Sequence, residues 1–337
     1  MQAPPSMAER TSRSETPLQW QTSMARRVEA PKMKINVVFN PANEKKASLP
    51  RGDSFGRQDS APLCWAAVTT RFDRDTEARA LGGGAYEVRV DRGWWVVRGP
   101  NGGYVAALLV RALEQAVGDP ARVLRSLTVH YLRPPAEGVA RVEVAIERAG
   151  RSVTSASARL LQGNQLQALA LAAFAVPRAS TELHHALPPE VAPPEACPAR
   201  GASPIPIHER FEQRYAIGPL PFDGVRSREA RTGGWLRLVE PRPLDAALLV
   251  AFADSWPPSL FAAADLPDLR GGIPTVDLTV HVRTPLPVPG LAPGDPVLVS
   301  FRTREVSQGV LEEDGEIWSR DGRLLAHSRQ LALLLQG

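Results

Sequence analysis

Three polar side chains interrupt stretches that are otherwise apolar, and together they suit the chemistry of water. Asp254 lies in LLVAFADSW, Thr275 heads TVDLTVHV, and Gln330 lies in LLAHSRQLALLL. A carboxylate can orient water or take its proton, and desolvation raises its pKa toward the range where it does this well. A hydroxyl and an amide each donate and accept hydrogen bonds, so Thr275 and Gln330 can fix that water beside the carboxylate. A fourth feature is NGG, Asn101 to Gly103, ahead of a long apolar run. Main-chain N–H groups at a helix start suit an oxyanion, and glycine permits close approach of a substrate. The same three residues also make a plain turn and helix cap. Taken singly, Thr275 is a routine strand residue and Gln330 an outward-facing one. Their weight depends on whether elements far apart in sequence meet.

Other chemistries find little support. No Ser-His-Asp order or G-x-S-x-G elbow occurs, which argues against an acyl-enzyme route. His130 and His281 fill strand positions, and His184 and His185 fall in a proline-rich run. Cys64 and Cys197 have no CxxC partner and lie in regions that read as flexible; no Cys/His cluster suggests zinc. Neither a metal nor a cofactor is expected. The net charge of +4 sits in residues 1–70, and the remainder balances at thirty charges of each sign. No basic surplus is left to neutralise phosphates, so nucleic acid is not an expected partner. No apolar run reaches the roughly 18 residues of a membrane span, and the N-terminus lacks a signal-peptide core. A cytoplasmic protein without a membrane partner is expected.

The elements that must position these groups come in a repeating order. Residues 1–70 are polar and Pro-, Ser- and charge-rich, which reads as a disordered N-terminal extension, with KINVVF (34–39) as an isolated strand at most. GAYEVRVDRGWWVVRG then predicts a hairpin turning at DRG, with Val88 and Val90 on one arm and Trp94 to Val97 on the other. Residues 103–117 predict a helix buried nearly all round. Strands are expected at 123–132, 139–149, 152–161 and 166–176. Residues 178–207, with seven prolines, read as an inter-domain linker. The order then repeats: strands at 211–217 and 228–239, a helix near 243–256 stopped by Pro257 and Pro258, and strands at 276–282, 296–305, 310–319 and 324–335.

Repeated strings support a duplication. AALLV occurs at 106–110 and 246–250, one in each helix, and LTVH at 127–130 and 278–281, in the first strand after each helix. Matches in the same order with slowly drifting offsets mark an internal repeat. One buried helix wrapped by an antiparallel sheet is the hotdog arrangement, so the expected fold is α+β, a double hotdog. Its units are 71–177 and 208–337, joined by 178–207. Aligning the copies sets Asp254 against Glu114, Thr275 against Leu124 and Gln330 against Ala172. The site is expected where the copies disagree.

The chain resembles acyl-CoA thioesterase II and its relatives with paired hotdog domains. The resemblance rests on NGGYVAALLVRALEQAV, LTVHYLRPPAEG, FADSW, PTVDLTVHV and DGRLLAHSRQ, and covers about 75–177 and 208–335. It implies a catalytic Asp on the second hotdog helix, a Thr or Ser before an apolar–Asp pair, and a Gln in the last strand. These fall on Asp254, Thr275 and Gln330. It implies hydrolysis of fatty acyl-CoA to free acid and CoA, hence a role in fatty acid metabolism, with acyl-CoA as the partner and no metal. Further pairing into a homo-oligomer is common for the fold. Two features depart from the family: Leu278 follows Asp277 where His is frequent nearby, and SQGVLEEDGEIW looks unlike its best-known members. A hotdog enoyl-CoA hydratase and a non-catalytic acyl-CoA-binding protein are the alternatives.

Overall fold

The computed structural model describes residues 69–336 apart from 221–222, 267–268 and 270–271. The N-terminal extension, its 34–39 strand and Cys64 lie outside the described residues. The described residues open with a short helix α1 (Arg71–Asp75), capped by Thr70, and a hairpin of β1 (Arg79–Gly82) and β2 (Ala85–Val90). Helix α2 (Gly102–Val117) follows, then β3 (Val123–Tyr131), β4 (Gly138–Ala149), β5 (Val153–Gln162) and β6 (Gln165–Ala175). The second unit holds β7 (Phe211–Ile217), β8 (Ala230–Leu238), α3 (Ala246–Phe252), β9 (Thr275–Val282), β10 (Val297–Thr303), the short β11 (Val306–Ser307), β12 (Val310–Trp318) and β13 (Leu324–Leu333). The expected double hotdog is the fold observed.

All the described strands join one antiparallel sheet in the order β1-β2-β4-β5-β6-β3-β9-β13-β12-β10-β8-β7, with β11 on β12. The two units meet where β3 pairs with β9, and the repeated words form that seam. Leu127 faces Val280, Thr128 faces Thr279 and Val129 faces Leu278. The two threonine hydroxyls are 2.9 Å apart at the centre. Both helices pack into one continuous hydrophobic core behind the sheet.

Each helix has a local reason for its limits. The Asn101 side-chain oxygen accepts the Tyr104 N–H, and Gly118 ends α2 at φ 62°, a conformation glycine adopts freely. Every residue from Gly103 to Val110 is buried, because the sheet covers the outer face of α2 and α3 part of the other. Asp245 caps α3 by accepting the Leu248 N–H. This helix is shorter than the expected 243–256. Residues 253–255 close with i→i−3 bonds, such as Ala253 N–H to Val250 O at 3.1 Å, since a helix continuing into Pro257 and Pro258 would meet their rings.

Two further expectations change. The hairpin turns at Gly83 and Gly84, both with positive φ, and not at DRG. Asp91 instead accepts the Gly93 N–H and starts a single 3-10 turn, which carries Trp94 inward to stack on Tyr104 at 5.1 Å. Side-chain capping by Asp offers the backbone this alternative to a strand. The proline-rich run is not loose either. The Arg200 N–H bonds to Gln213 O, the Tyr215 N–H to Pro198 O, and Trp235 donates to Ala192 O, so the run lies along β7 with Cys197 buried. No helix among the described residues is long and apolar enough to cross a membrane.

Leu109 is fully buried in α2. Leu109→Ala should lower unfolding free energy by about 2–5 kcal/mol, read from urea denaturation.

Candidate active site

The start of α2 meets the end of α3, and glycine makes the approach possible. A methyl group on Gly103 would lie 2.6 Å from Ala251 O, and one on Gly102 would lie 2.9 Å from Asp254 Oδ2. Tyr104 fixes the helix start from below: its hydroxyl lies within 2.8–2.9 Å of the Asp75 and Arg89 carbonyls and accepts the Asp91 N–H.

Asp254 is the centre of this contact. Its Oδ2 accepts the Gly103 N–H at 2.9 Å and the Asn101 side-chain N–H at 3.0 Å. Asn101 also donates to Asp254 O at 2.6 Å while its own oxygen caps Tyr104 N–H. The carboxylate thus sits at the positive end of α2 yet remains partly exposed. Desolvation pushes its pKa up to about 7 against the Gly103 N–H, and the charge of Glu313 pushes the same way. Tyr131, at the end of β3, donates to Gly102 O at 2.8 Å. Burial, and after it the charge of Asp254, raises the Tyr131 phenol well above its usual value.

A second polar group lines up along β9, β13 and β12. Thr275 Oγ1 donates to Gln330 Oε1 at 2.9 Å, and Gln330 Nε2 donates to Glu313 Oε1 at 2.8 Å. Glu313 Oε2 accepts the Ser259 N–H at 2.6 Å, and the Ser259 hydroxyl bonds to Thr303. Gln330 and Glu313 are cross-strand partners, which is why both side chains enter on one face. Burial raises the Glu313 pKa.

The structure therefore brings Asn101, Gly102 and Gly103 around Asp254, and Thr275 onto Gln330. It does not hydrogen-bond Asp254 to Thr275 or Gln330; Glu313, which accepts from Gln330, acts on Asp254 through its charge. The Gly103 N–H, expected to await a substrate oxygen, is engaged by Asp254. Glu313, Ser259 and Tyr131 escaped the sequence reading. The signal for Glu313 was available: Leu311, Glu313, Gly315 and Ile317 alternate inward along β12, and one of them is a carboxylate.

The opposite ends of the helices are built differently. There Arg111 bridges Asp245 at 2.8 Å and Asp73 at 3.5 Å, and Arg242 contacts the same two carboxylates at 2.6 and 3.0 Å. Arg111 thereby ties α2 to the start of α3. Burial, then the charge of Asp245, lifts Glu114 to about 7, but the positions aligned with Thr275 and Gln330 are Leu124 and Ala172 in this unit. Among the described residues no cluster of His, Cys, Asp and Glu could hold a metal ion.

Comparison with known proteins agrees with this architecture. Residues 91–176 match the family described as acyl-CoA thioesterase N-terminal domain, and residues 188–334 match the acyl-CoA thioesterase C-terminal domain. The thioesterase-like protein TwmA of Talaromyces wortmannii is 21% identical over 323 residues, covering 78% of this chain and 92% of that one. An uncharacterized protein of Mycobacterium tuberculosis is 25% identical over 275 residues, covering 74% and 90%. A hot dog fold protein of unknown function from Alicyclobacillus acidocaldarius superposes with TM-score 0.70 at 29% identity, covering 80% of this chain and 100% of that one. A putative thioesterase II from Thermobifida fusca gives TM-score 0.68 at 27% identity, covering 79% and 98%.

The raised pKa of Asp254 sets a stability signature. Between its ordinary value of 3.8 and about 7 the folded chain holds a proton that the unfolded chain has lost. Stability from this group is therefore full at low pH and falls as pH rises through that window. Asp254→Asn should be more stable than the parent protein at pH 8 and no more stable at pH 4, measured by urea denaturation. A carboxyl carbon resonance for Asp254 titrating near an ordinary aspartate value would contradict this.

Proposed function

The chain belongs to the acyl-CoA thioesterase family, and on that premise we propose that it hydrolyses acyl-CoA to free acid and CoA at the site around Asp254. The observation that carries the reading is a carboxylate lifted to about pH 7 at the start of a buried helix, with the Thr275–Gln330 pair coupled to it through Glu313.

In this reading Asp254 takes a proton from a water that Thr275 and Gln330 help to hold, and the water oxygen bonds to the thioester carbonyl carbon. Protonated Asp254 is a weaker acceptor, so its grip on the Gly103 N–H loosens. That donor, with the Gly102 N–H and the positive end of α2, then serves the developing oxyanion. Collapse of the intermediate breaks the C–S bond, and the Asp254 proton passes to the departing thiolate. Each proton is returned, and the products are a carboxylic acid and CoA thiol. Nothing in this scheme calls for a cofactor.

The test is thiol release from short-, medium- and long-chain acyl-CoA. The parent protein should release free CoA, and Asp254→Asn should lose roughly two to four orders of magnitude in kcat. Because the base must be ionised, kcat/KM should fall as pH drops below about 7. Saturable binding without thiol release would overturn the proposal in favour of an acyl-CoA-binding protein, and addition of water to an enoyl-CoA would favour a hydratase.

A further inference from the structure

The thioesterase reading uses Asp254, Thr275 and Gln330, and it leaves a second buried carboxylate unexplained. Glu313 is 3% exposed, and among the described residues no arginine, lysine or histidine hydrogen-bonds or ion-pairs with it. Both of its oxygens receive N–H donors, from Ser259 and from Gln330, which suits the ionised form. A buried carboxylate without a cation beside it is costly to keep.

The hydrogen-bond directions show what it does. An ionised carboxylate only accepts, so Gln330 must turn its Nε2 toward Glu313. Gln330 Oε1 then faces Thr275 and takes the single hydroxyl hydrogen of that residue. The remaining lone pairs of Thr275 Oγ1 are left as acceptors. A water whose hydrogens go to Thr275 Oγ1 and to the Asp254 carboxylate keeps its own lone pair free for the carbonyl carbon. With the amide reversed, Thr275 would donate to that water, tie up one of its two lone pairs and make its oxygen a poorer nucleophile.

We propose that Glu313 is a positioning residue for the hydrolysis proposed above: it fixes the polarity of the Glu313–Gln330–Thr275 chain so that Thr275 accepts from the attacking water. Its charge acts on the base as well, favouring proton uptake by Asp254. The groups around the two carboxylates are consistent with this. Asp254 is faced by the neutral Tyr131 phenol from β3, by the Asn101 amide and the N–H groups of α2, and by Glu313 from β12. Glu313 is faced by the neutral Ser259 and Gln330, with Glu312 beside it on its own strand.

Glu313→Gln tests the polarity directly. The Ser259 N–H would claim the oxygen of the introduced amide, whose N–H group would then face Gln330 and reverse it. The expected result is a kcat at least roughly ten-fold lower with KM little changed, and an acid limb of the pH profile moved to lower pH. Gln330→Glu added to Glu313→Gln restores the direction of the chain, since a carboxylate at position 330 would accept both from the amide at position 313 and from Thr275. The double variant should regain roughly ten-fold in kcat over the single one. Far-UV circular dichroism and Tm verify that each variant is folded. If Glu313→Gln does not fold, Glu313→Asp is read instead: it keeps the charge, so the acid limb should stay while kcat falls. A wild-type kcat and pH profile in Glu313→Gln, a wild-type kcat in Glu313→Asp, or a double variant no better than the single one overturns the proposal. Saturable binding of acyl-CoA by the parent protein without thiol release overturns the underlying thioesterase reading instead, so the two failures are distinguishable.

Discussion

The contact between the start of α2 and the end of α3 governs the site. The two helix backbones approach closely enough there that a side chain at 103 would strike Ala251 O and one at 102 would crowd the Asp254 and Tyr131 side chains, and the Asp254 carboxylate closes the gap by accepting the Gly103 N–H. Its position serves two opposing demands. The helix N-terminus favours the charged form, while the apolar surroundings disfavour it, and the second effect wins by enough to bring the group near neutrality. The last turn of α3 is tightened by the following prolines, and without that turn the side chain would leave on a different face.

The other ends of the same helices show what the active contact is not. Arg111 and Arg242 hold Asp73 and Asp245 in a closed set of ion pairs between α1, α2 and the start of α3. A partly buried network of this kind adds little net stability, but removing one member leaves the others without their countercharge. Here charge is matched by charge and cannot be drawn on by a substrate. At Asp254 it is matched only by dipoles. That contrast accompanies the loss of Thr275 and Gln330 equivalents from the first unit, where Leu124 and Ala172 stand.

Much of the architecture was legible in the sequence because it is written in periodicity. The strands expected from β3 onward have limits within two residues of those observed, and α2 within one. What was not legible depends on hydrogen bonds that side chains make to nearby backbone. Asp91 diverts the chain after β2, and the prolines shorten α3. The proline-rich run looked loose because its partners, Gln213, Tyr215 and Trp235, are outside it in sequence. Asp254, Thr275 and Gln330 were singled out by comparing the two copies and by family resemblance, and Asn101 to Gly103 by the chemistry of a helix start, yet how these six would group was not legible. Glu313 lies in SQGVLEEDGEIW, the segment that departs from the family, so only the alternation along β12 points it inward.

The seam between β3 and β9 has a further meaning. In two identical chains related by a two-fold axis, every change in sequence is made twice, once at each of two equal sites. Here the words LTVH keep the geometry of that axis at Thr128 and Thr279, while a covalent connection makes the halves separately editable. One change acts once. One end of the helix pair could therefore become a fixed strut without any loss at the other, and the reacting end could acquire groups, such as Glu313, that a symmetric assembly would have had to tolerate in duplicate.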